Sequence, residues 1–270
     1  MGAPPVLLLN GVAAGAAALG ALAQVNYGHF TSLQVRAGAA QGLALHLARL
    51  ESATAELFDA GLDMAAVRAW MRQAAAAAGG DCSLRVTVFS RRFDHREPLR
   101  PVEVDVLVAA SAPAQPPARP LRVQSRPFAR PVPHLKHVGT FPLFHHRRQA
   151  LRAGFDDALF VVGEGAAARI AEGSVWNAGF WDGARVVWPE APALRGTAER
   201  LLQAGLEAEG VAQAWRPVAP AELPALRGAF AANATGLQAI AAIDAVAYAP
   251  VPELLAVLVR ALARTPWEPL

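Results

Sequence analysis

The segment His134-Leu135-Lys136-His137-Val138-Gly139-Thr140-Phe141 holds the only lysine in a chain of 270 residues. Of the 25 basic side chains, all but this one are arginine. On a solvated surface the two residues do similar work, but their chemistry differs. A primary amine can lose its proton, attack a carbonyl and form an imine, whereas a guanidinium with a pKa above about 12 cannot. A chain that places arginine almost everywhere and keeps one amine directs attention to that amine. The competing reading is a chance survivor, so the surroundings of Lys136 decide.

Upstream of this segment, Ser111 to Pro120 carries Pro113, Pro116, Pro117 and Pro120. Proline at this density makes a semi-rigid spacer. It divides the chain into a small N-terminal α/β domain over 1–111, a linker over 112–120 and a larger domain over 121–270 that contains the lysine. In the first domain, Val6 to Leu9 is an apolar run ended by an Asn10-Gly11 turn. Ser32 to Arg36, Leu84 to Phe89 and Val102 to Val108 read as strands, and in the second of these Arg85 and Thr87 face away from Leu84, Val86 and Val88. Leu43 to Phe58 reads as a helix with Leu43, Leu47, Leu50, Ala53 and Leu57 on one stripe, and Arg49 beside it reads as solvated. Asp63 to Ala78 is a second helix, stopped by Gly79-Gly80.

In the larger domain, strands are expected at Leu121 to Ser125, Ala158 to Val162 and Arg169 to Glu172, and a hairpin turns at Asp182-Gly183. Helices are expected at Leu143 to Ala153, about Ala198 to Glu209, and Val251 to Arg264. Phe230 to Gly236 reads as a small-residue segment leading to a strand near Ile240. The arginines at 119, 122, 126 and 130 read as solvating side chains. The fold class is α+β in two domains.

Composition narrows the function. The chain is 54% hydrophobic and 17% charged, which excludes a disordered tail protein. The net charge is +3, with no block of five or six like charges and no aromatics interleaved with the arginines, so nucleic-acid binding is not indicated. Cys82 is the only cysteine, which rules out an intrachain disulfide and favours a reducing compartment. The apolar run Gly11 to Ala23 is too short to span a bilayer and reads as part of the fold. The expectation is a cytoplasmic protein with no membrane partner. Adjacent His145 and His146 point in different directions on a helix, and no acidic or paired-cysteine motif accompanies them, so no metal is expected.

Three further features bear on the lysine. Glu172 ends a strand. Gly196-Thr197-Ala198 opens a helix, where free amides and the helix dipole favour a phosphate. Asn233 lies among small residues that let a ligand approach the backbone. Taken singly, each has a bland alternative as a surface acid, an ordinary cap or a turn. Together with Lys136 they form the set that pyridoxal phosphate requires: an amine for the imine, a carboxylate for the ring nitrogen and amides for the phosphate.

With these residues in hand, the sequence resembles the class IV, or fold-type IV, aminotransferases, which include branched-chain and D-amino acid aminotransferases and aminodeoxychorismate lyases. The resemblance spans nearly the whole chain. It is carried by Leu45-His46-Leu47-Ala48-Arg49-Leu50, Leu135-Lys136-His137, Gly154-Phe155-Asp156-Asp157-Ala158-Leu159, Glu172-Gly173-Ser174-Val175-Trp176-Asn177 and Leu194-Arg195-Gly196-Thr197. It implies a larger domain built as a pseudo-barrel, and pyridoxal 5'-phosphate bound to Lys136 as an imine. It also implies that Lys136 shuttles the substrate α-proton, that Glu172 meets the ring nitrogen, and that Arg49, Gly196, the amides of Thr197 and Ala198, and nearby Asn233 hold the phosphate. Tyr27 and Arg85 match substrate-pocket positions, with Arg85 a candidate for a substrate carboxylate. Amino acid and keto acid substrates and a homodimer follow from the same resemblance.

There are departures. Ser32-Leu33 stands where many relatives have an acidic Phe-Glu pair, and Phe141 stands where branched-chain enzymes have a tyrosine. Thr197-Ala198 replaces the usual Ile-Thr. A lyase, and a non-catalytic homologue that binds a ligand or partner, are therefore the alternatives to an aminotransferase.

Overall fold

The computed structural model describes residues 5–270, which fall into two compact units. The first takes the chain up to Ala114 together with Leu135–Gly139 and Pro266–Leu270, and the second takes Gln115–His134 and Thr140–Thr265. The division falls inside the proline-dense 112–120 stretch.

In the first unit, β1 (Val6–Leu9) and β2 (Val12–Ala13) form a hairpin about Asn10 and Gly11, with φ of 48° and 82°. Then come α1 (Ala16–Gln24), β3 (Gly28–Val35), β4 (Ala39–Gln41), α2 (Leu43–Phe58), α3 (Met64–Ala77), β5 (Cys82–Phe89) and β6 (Asp105–Ser111). The five-stranded sheet is antiparallel in the order β2-β1-β6-β5-β3. Period-two alternation places Leu33, Val35, Leu84, Val86, Val88, Val106 and Val108 on one face, where they pack with Leu43 and Leu50 of α2 and Val67 and Met71 of α3. Asp63 caps α3 by accepting from Ala66 N at 3.0 Å.

Strand β3 is the edge of that sheet, and the segment 135–139 runs antiparallel beside it. Phe30 N donates to Lys136 O and Val138 N to Gly28 O, both at 2.9 Å, with His29 opposite His137. These bonds are why residues 135–139 pack with the first unit and not with the remainder of 121–270. Gly28 has φ 151°, and a Cβ there would meet Val88 O at 2.5 Å, so the start of β3 requires glycine.

The second unit contains β7 (Leu121–Pro127), α4 (Phe141–Arg152), β8 (Asp157–Val162), β9 (Arg169–Gly173), β10 (Asn177–Trp181), β11 (Val186–Pro189) and α5 (Thr197–Ala208). It continues with β12 (Gln213–Arg216), β13 (Gly228–Asn233), β14 (Gly236–Ile243), β15 (Val246–Ala247) and α6 (Pro252–Ala263). The chain ends with β16 (Trp267–Pro269), which pairs with β4 in the first unit. The second unit's strands form one mixed sheet in the order β12-β11-β10-β13-β14-β7-β8-β9, with β15 attached to β14. This sheet curls into a half-barrel, so that β9 at one end also approaches β11. Helices α5 and α6 pack through Leu202, Leu206, Leu258 and Ala261 with Trp188 and Phe230 of the sheet. Gly205 makes that approach possible, because a Cβ there would collide with Ala261 O.

Three expectations need correction. The strand expected at Val102 to Val108 lies at Asp105–Ser111, and β3 starts at Gly28, four residues before Ser32. The small-residue segment from Phe230 is itself a strand, β13, because pairing on both sides with β10 and β14 supplies what its alanines lack in strand preference. Among the described residues, no helix is long and apolar enough to cross a membrane.

Candidate functional site

In the first unit the antiparallel register sets Lys136 opposite Phe30. Lys136 is half-buried, and its Nζ lies 4.9 Å from the centre of the buried Phe30 ring. Arg85, next to Ser32 across the β3–β5 pair, places Cζ 3.5 Å from the same ring centre. Phe30 thus carries both cations, an arrangement favoured by the negative face of the ring. Arg85 Nε also reaches Thr87 Oγ1 at 3.4 Å, and partial burial pushes the guanidinium pKa down. Among the described residues, no carboxylate forms an ion pair with Arg85.

Against the opposite face of β3 lie two buried histidines, His29 of β3 itself and His46 of α2. His29 Nε2 bonds Thr54 Oγ1 at 2.9 Å, and His46 Nδ1 bonds Thr31 Oγ1 at 2.7 Å. Burial pushes His29 down to about 4. Burial, with the charges of Arg49 and Lys136, pushes His46 down to about 3. Both imidazoles are therefore neutral at pH 7, and His46 feels the two positive groups that the sequence marks as functional. Half-buried Arg49 follows His46 by one helical turn on α2. Tyr27, directly before β3, stacks on Phe93 at 4.1 Å, meets Phe58 edge-on, and donates its hydroxyl proton to Leu57 O at 2.9 Å. Its hydroxyl oxygen keeps only an acceptor role.

In the second unit, Glu172 closes β9 and is buried. Arg130 Nε donates to Glu172 Oε1 at 2.6 Å and Nη2 to Oε2 at 3.3 Å. The side chains are 5% and 4% exposed, so Arg130 is not the solvating residue its place near the linker suggested. The loop after Glu172 is fixed by close packing. Trp176 lies against Gly173, where any Cβ would strike the indole, and Ser174 Oγ donates to Asp157 Oδ1 at 2.6 Å. Arg147 Nε stands 3.5 Å from the other oxygen of Asp157.

The start of α5 is tied to the same loop. Asn177 Nδ2 donates to Leu194 O at 2.6 Å, and Asn177 Oδ1 occupies the space a Cβ on Gly196 would need. Thr197 and Ala198 form the first turn, both buried, and Thr197 Oγ1 has no hydrogen-bond partner among the described residues. Glu199 accepts from Gly196 N at 3.3 Å and from Arg195 Nη1 at 2.8 Å. Burial pushes the Glu199 pKa up, Arg195 opposes that, and the charge of Glu172 adds to it. Asn233 braces the β13–β14 turn: Oδ1 accepts from Thr235 N at 2.8 Å and Nδ2 donates to Val175 O at 3.4 Å. A cavity of about 260 Å³ opens beside Asn233, Trp176, Arg147 and Asp157.

The first unit therefore gathers Lys136, Arg49 and Arg85, and the second gathers Glu172, Gly196, Thr197, Ala198 and Asn233. Sequence reading missed Phe30, His46 and Arg130. Alternation along β3 offered a signal for Phe30 and Thr31, whereas no local signal existed for Arg130. Among the described residues, no cluster of three or more His, Cys, Asp or Glu side chains is placed to hold a metal.

The family model described as amino-transferase class IV matches residues 28–243. No curated protein matches the chain by sequence. Solved structures do match. A putative 4-amino-4-deoxychorismate lyase from Legionella pneumophila superposes with TM-score 0.79 at 16% identity, over 90% of this chain and 92% of that one. A hypothetical aminotransferase from Mycobacterium tuberculosis, in a PLP-bound form, gives 0.75 at 21% identity over 90% of each chain. A branched-chain aminotransferase from Thermoproteus uzoniensis, with norvaline, gives 0.81 at 18% over 94% and 92%.

Proposed function

The chain belongs to the class IV aminotransferases, and on that premise we propose that it moves an amino group between an amino acid or amine and a keto acid, with pyridoxal 5'-phosphate as cofactor and Lys136 as the catalytic residue. The observation that carries this is the single lysine of the chain, half-buried at the edge of β3 above Phe30. The residues present suit the cofactor: the first turn of α5 offers free amides and an unpartnered buried hydroxyl on Thr197, and Glu172 is a buried acid.

When bound, the cofactor supplies a carbonyl carbon for the amine exchange and an electron-withdrawing ring for the substrate α-carbon. Lys136 Nζ would take the substrate α-proton and carry it between the reacting atoms. Glu172 holds the proton on the ring nitrogen. Arg49, the amides of Thr197 and Ala198, and Gly196 hold the phosphate, with Asn233 bracing the neighbouring turn. Arg85 receives a substrate carboxylate, since it lies beside Lys136 on Phe30 and forms no ion pair among the described residues. Tyr27 contributes its ring to the pocket wall, its hydroxyl proton being held by Leu57 O.

A lyase of the aminodeoxychorismate type would use the same groups. Phe141 keeps that reading open, being 76% exposed and unable to supply the hydroxyl that branched-chain enzymes have at this position. Turnover without a keto acid acceptor would mark the lyase. A cytoplasmic location is supported by the one buried free thiol, Cys82, and a homodimer by Phe141, Phe144 and Leu151, which α4 leaves exposed.

The test is to incubate the protein with pyridoxal 5'-phosphate, record the visible spectrum, reduce with borohydride and map the peptides. A yellow protein labelled on Lys136 is expected. A colourless, unlabelled protein removes the aminotransferase and lyase readings together and leaves a binding homologue.

A further inference from the structure

Glu172 does not stand alone at the end of β9. Arg130 reaches it from the segment that follows β7, and both side chains are almost fully shielded from water. The contact is uneven: Nε holds Oε1 at 2.6 Å, while Nη2 is 3.3 Å from Oε2. Each carboxylate oxygen accepts two hydrogen bonds, so both keep capacity to spare, and Oε2, at 3.3 Å, is the one more loosely held. The planar guanidinium fork fixes the carboxylate plane in a way that an ammonium would not. Gly173 and Trp176 hold the backbone after Glu172 in place, which leaves the side-chain torsions as the remaining freedom, and Arg130 removes it.

We infer that Arg130 is a positioning residue for Glu172: it fixes the carboxylate plane so that Oε2, the more loosely held oxygen, is the one offered to the cofactor ring nitrogen. The inference rests on the cofactor reading above. Arg130 acts through Glu172 and touches no reacting atom.

The experiment is a double-mutant cycle on the full chain with Arg130→Met, Glu172→Gln and the pair, together with Arg130→Lys in both backgrounds. Three quantities are read: apoprotein melting, the dissociation constant for pyridoxal 5'-phosphate by absorbance titration, and the pH midpoint of the bound cofactor's visible band. Arg130→Met is expected to weaken the cofactor about tenfold and to shift the midpoint. In the Glu172→Gln background it changes the affinity less than about twofold and leaves the midpoint where Glu172→Gln put it. Arg130→Lys, which keeps the charge and loses the fork, lies between, and it decides the cycle if Arg130→Met does not fold. Additive losses, or a lowered melting temperature with an unmoved midpoint, would mean a purely structural pair and overturn the inference alone. A wild-type protein with no visible band would overturn it together with the cofactor reading.

Discussion

At the scale of single residues, the chain separates roles that a surface count of charges would blur. Lys136 is legible from composition alone, because one amine among arginines is a chemical outlier. Replacing it by arginine keeps the charge and the stem but removes the proposed nucleophile and proton carrier, so Lys136→Arg is expected to lower kcat by about a thousandfold or more while melting stays nearly unchanged. Steady-state turnover beside a melting curve checks this, and substantial remaining activity would displace Lys136 from its role. Arg85 was legible only as the polar side of a strand. Its place on Phe30, with no carboxylate partner among the described residues, supports its proposed role as the anchor for an incoming anion. Arg85→Met is expected to raise KM for a carboxylate substrate by about ten- to a hundredfold, with kcat changed much less. An unchanged KM would send the carboxylate elsewhere. Arg130 and His46 were not legible, because a buried partner 42 residues away, or a threonine on a neighbouring strand, leaves no mark on local spacing.

At the scale of elements, helices declared themselves where the apolar stripe and the caps agreed. The 43–58 helix was read to its ends, and α3 begins one residue after its capping Asp63. Strand β13 did not, since Gly228-Ala229-Phe230-Ala231-Ala232-Asn233 has little intrinsic strand preference and is made a strand by β10 and β14. The start of α5 shows how an element end becomes a candidate binding site. Gly196 has ordinary backbone angles, φ −67° and ψ 152°, so its need for glycine is purely steric: Asn177 Oδ1 fills the space of a Cβ. Gly196→Ala would push Asn177 off Leu194 O and tilt the first turn. Stability is expected to fall by about 1–3 kcal/mol, the usual cost of overpacking. Affinity for pyridoxal 5'-phosphate is expected to fall by about tenfold or more, while affinity for phosphate-free pyridoxal changes little. Equal losses for the two ligands would show that α5 does not hold the phosphate.

At the scale of the molecule, the proline-dense stretch marked a division of the chain, and the order and spacing of the motifs around Lys136, Glu172 and Gly196 made the family resemblance readable, but the sheet could not be read. Of its parallel pairs, β7–β8 and β11–β12 join successive strands across a helix, but β14–β7 joins strands far apart in sequence, and nothing in either strand names its neighbour. Stability against acid is likewise a property of burial that composition hides. The unfolded chain protonates its histidines near pH 6.5. In the folded chain His29 does so only at about 4 and His46 at about 3. Between those values and 6.5 the unfolded state binds more protons, so stability rises with pH through the window, is fully present above 6.5, and is lost as pH falls. Each histidine contributes a slope of up to about 1.4 kcal/mol per pH unit. Glu199 opposes this weakly, because its raised pKa favours the folded state just above the ordinary carboxylate range. Asp105, held low by hydrogen bonds from Arg91 and Asn10, adds its loss only at lower pH. Urea unfolding of the apoprotein from pH 7.5 to 5 is therefore expected to show stability falling below 6.5. His46→Asn, which can still bond Thr31 but cannot titrate, should flatten that fall by up to about 1.4 kcal/mol per pH unit. If the variant and the wild type fall in parallel, His46 is not held neutral by the fold, and the buried face of β3 is more open to water than the packing of α2 against it implies.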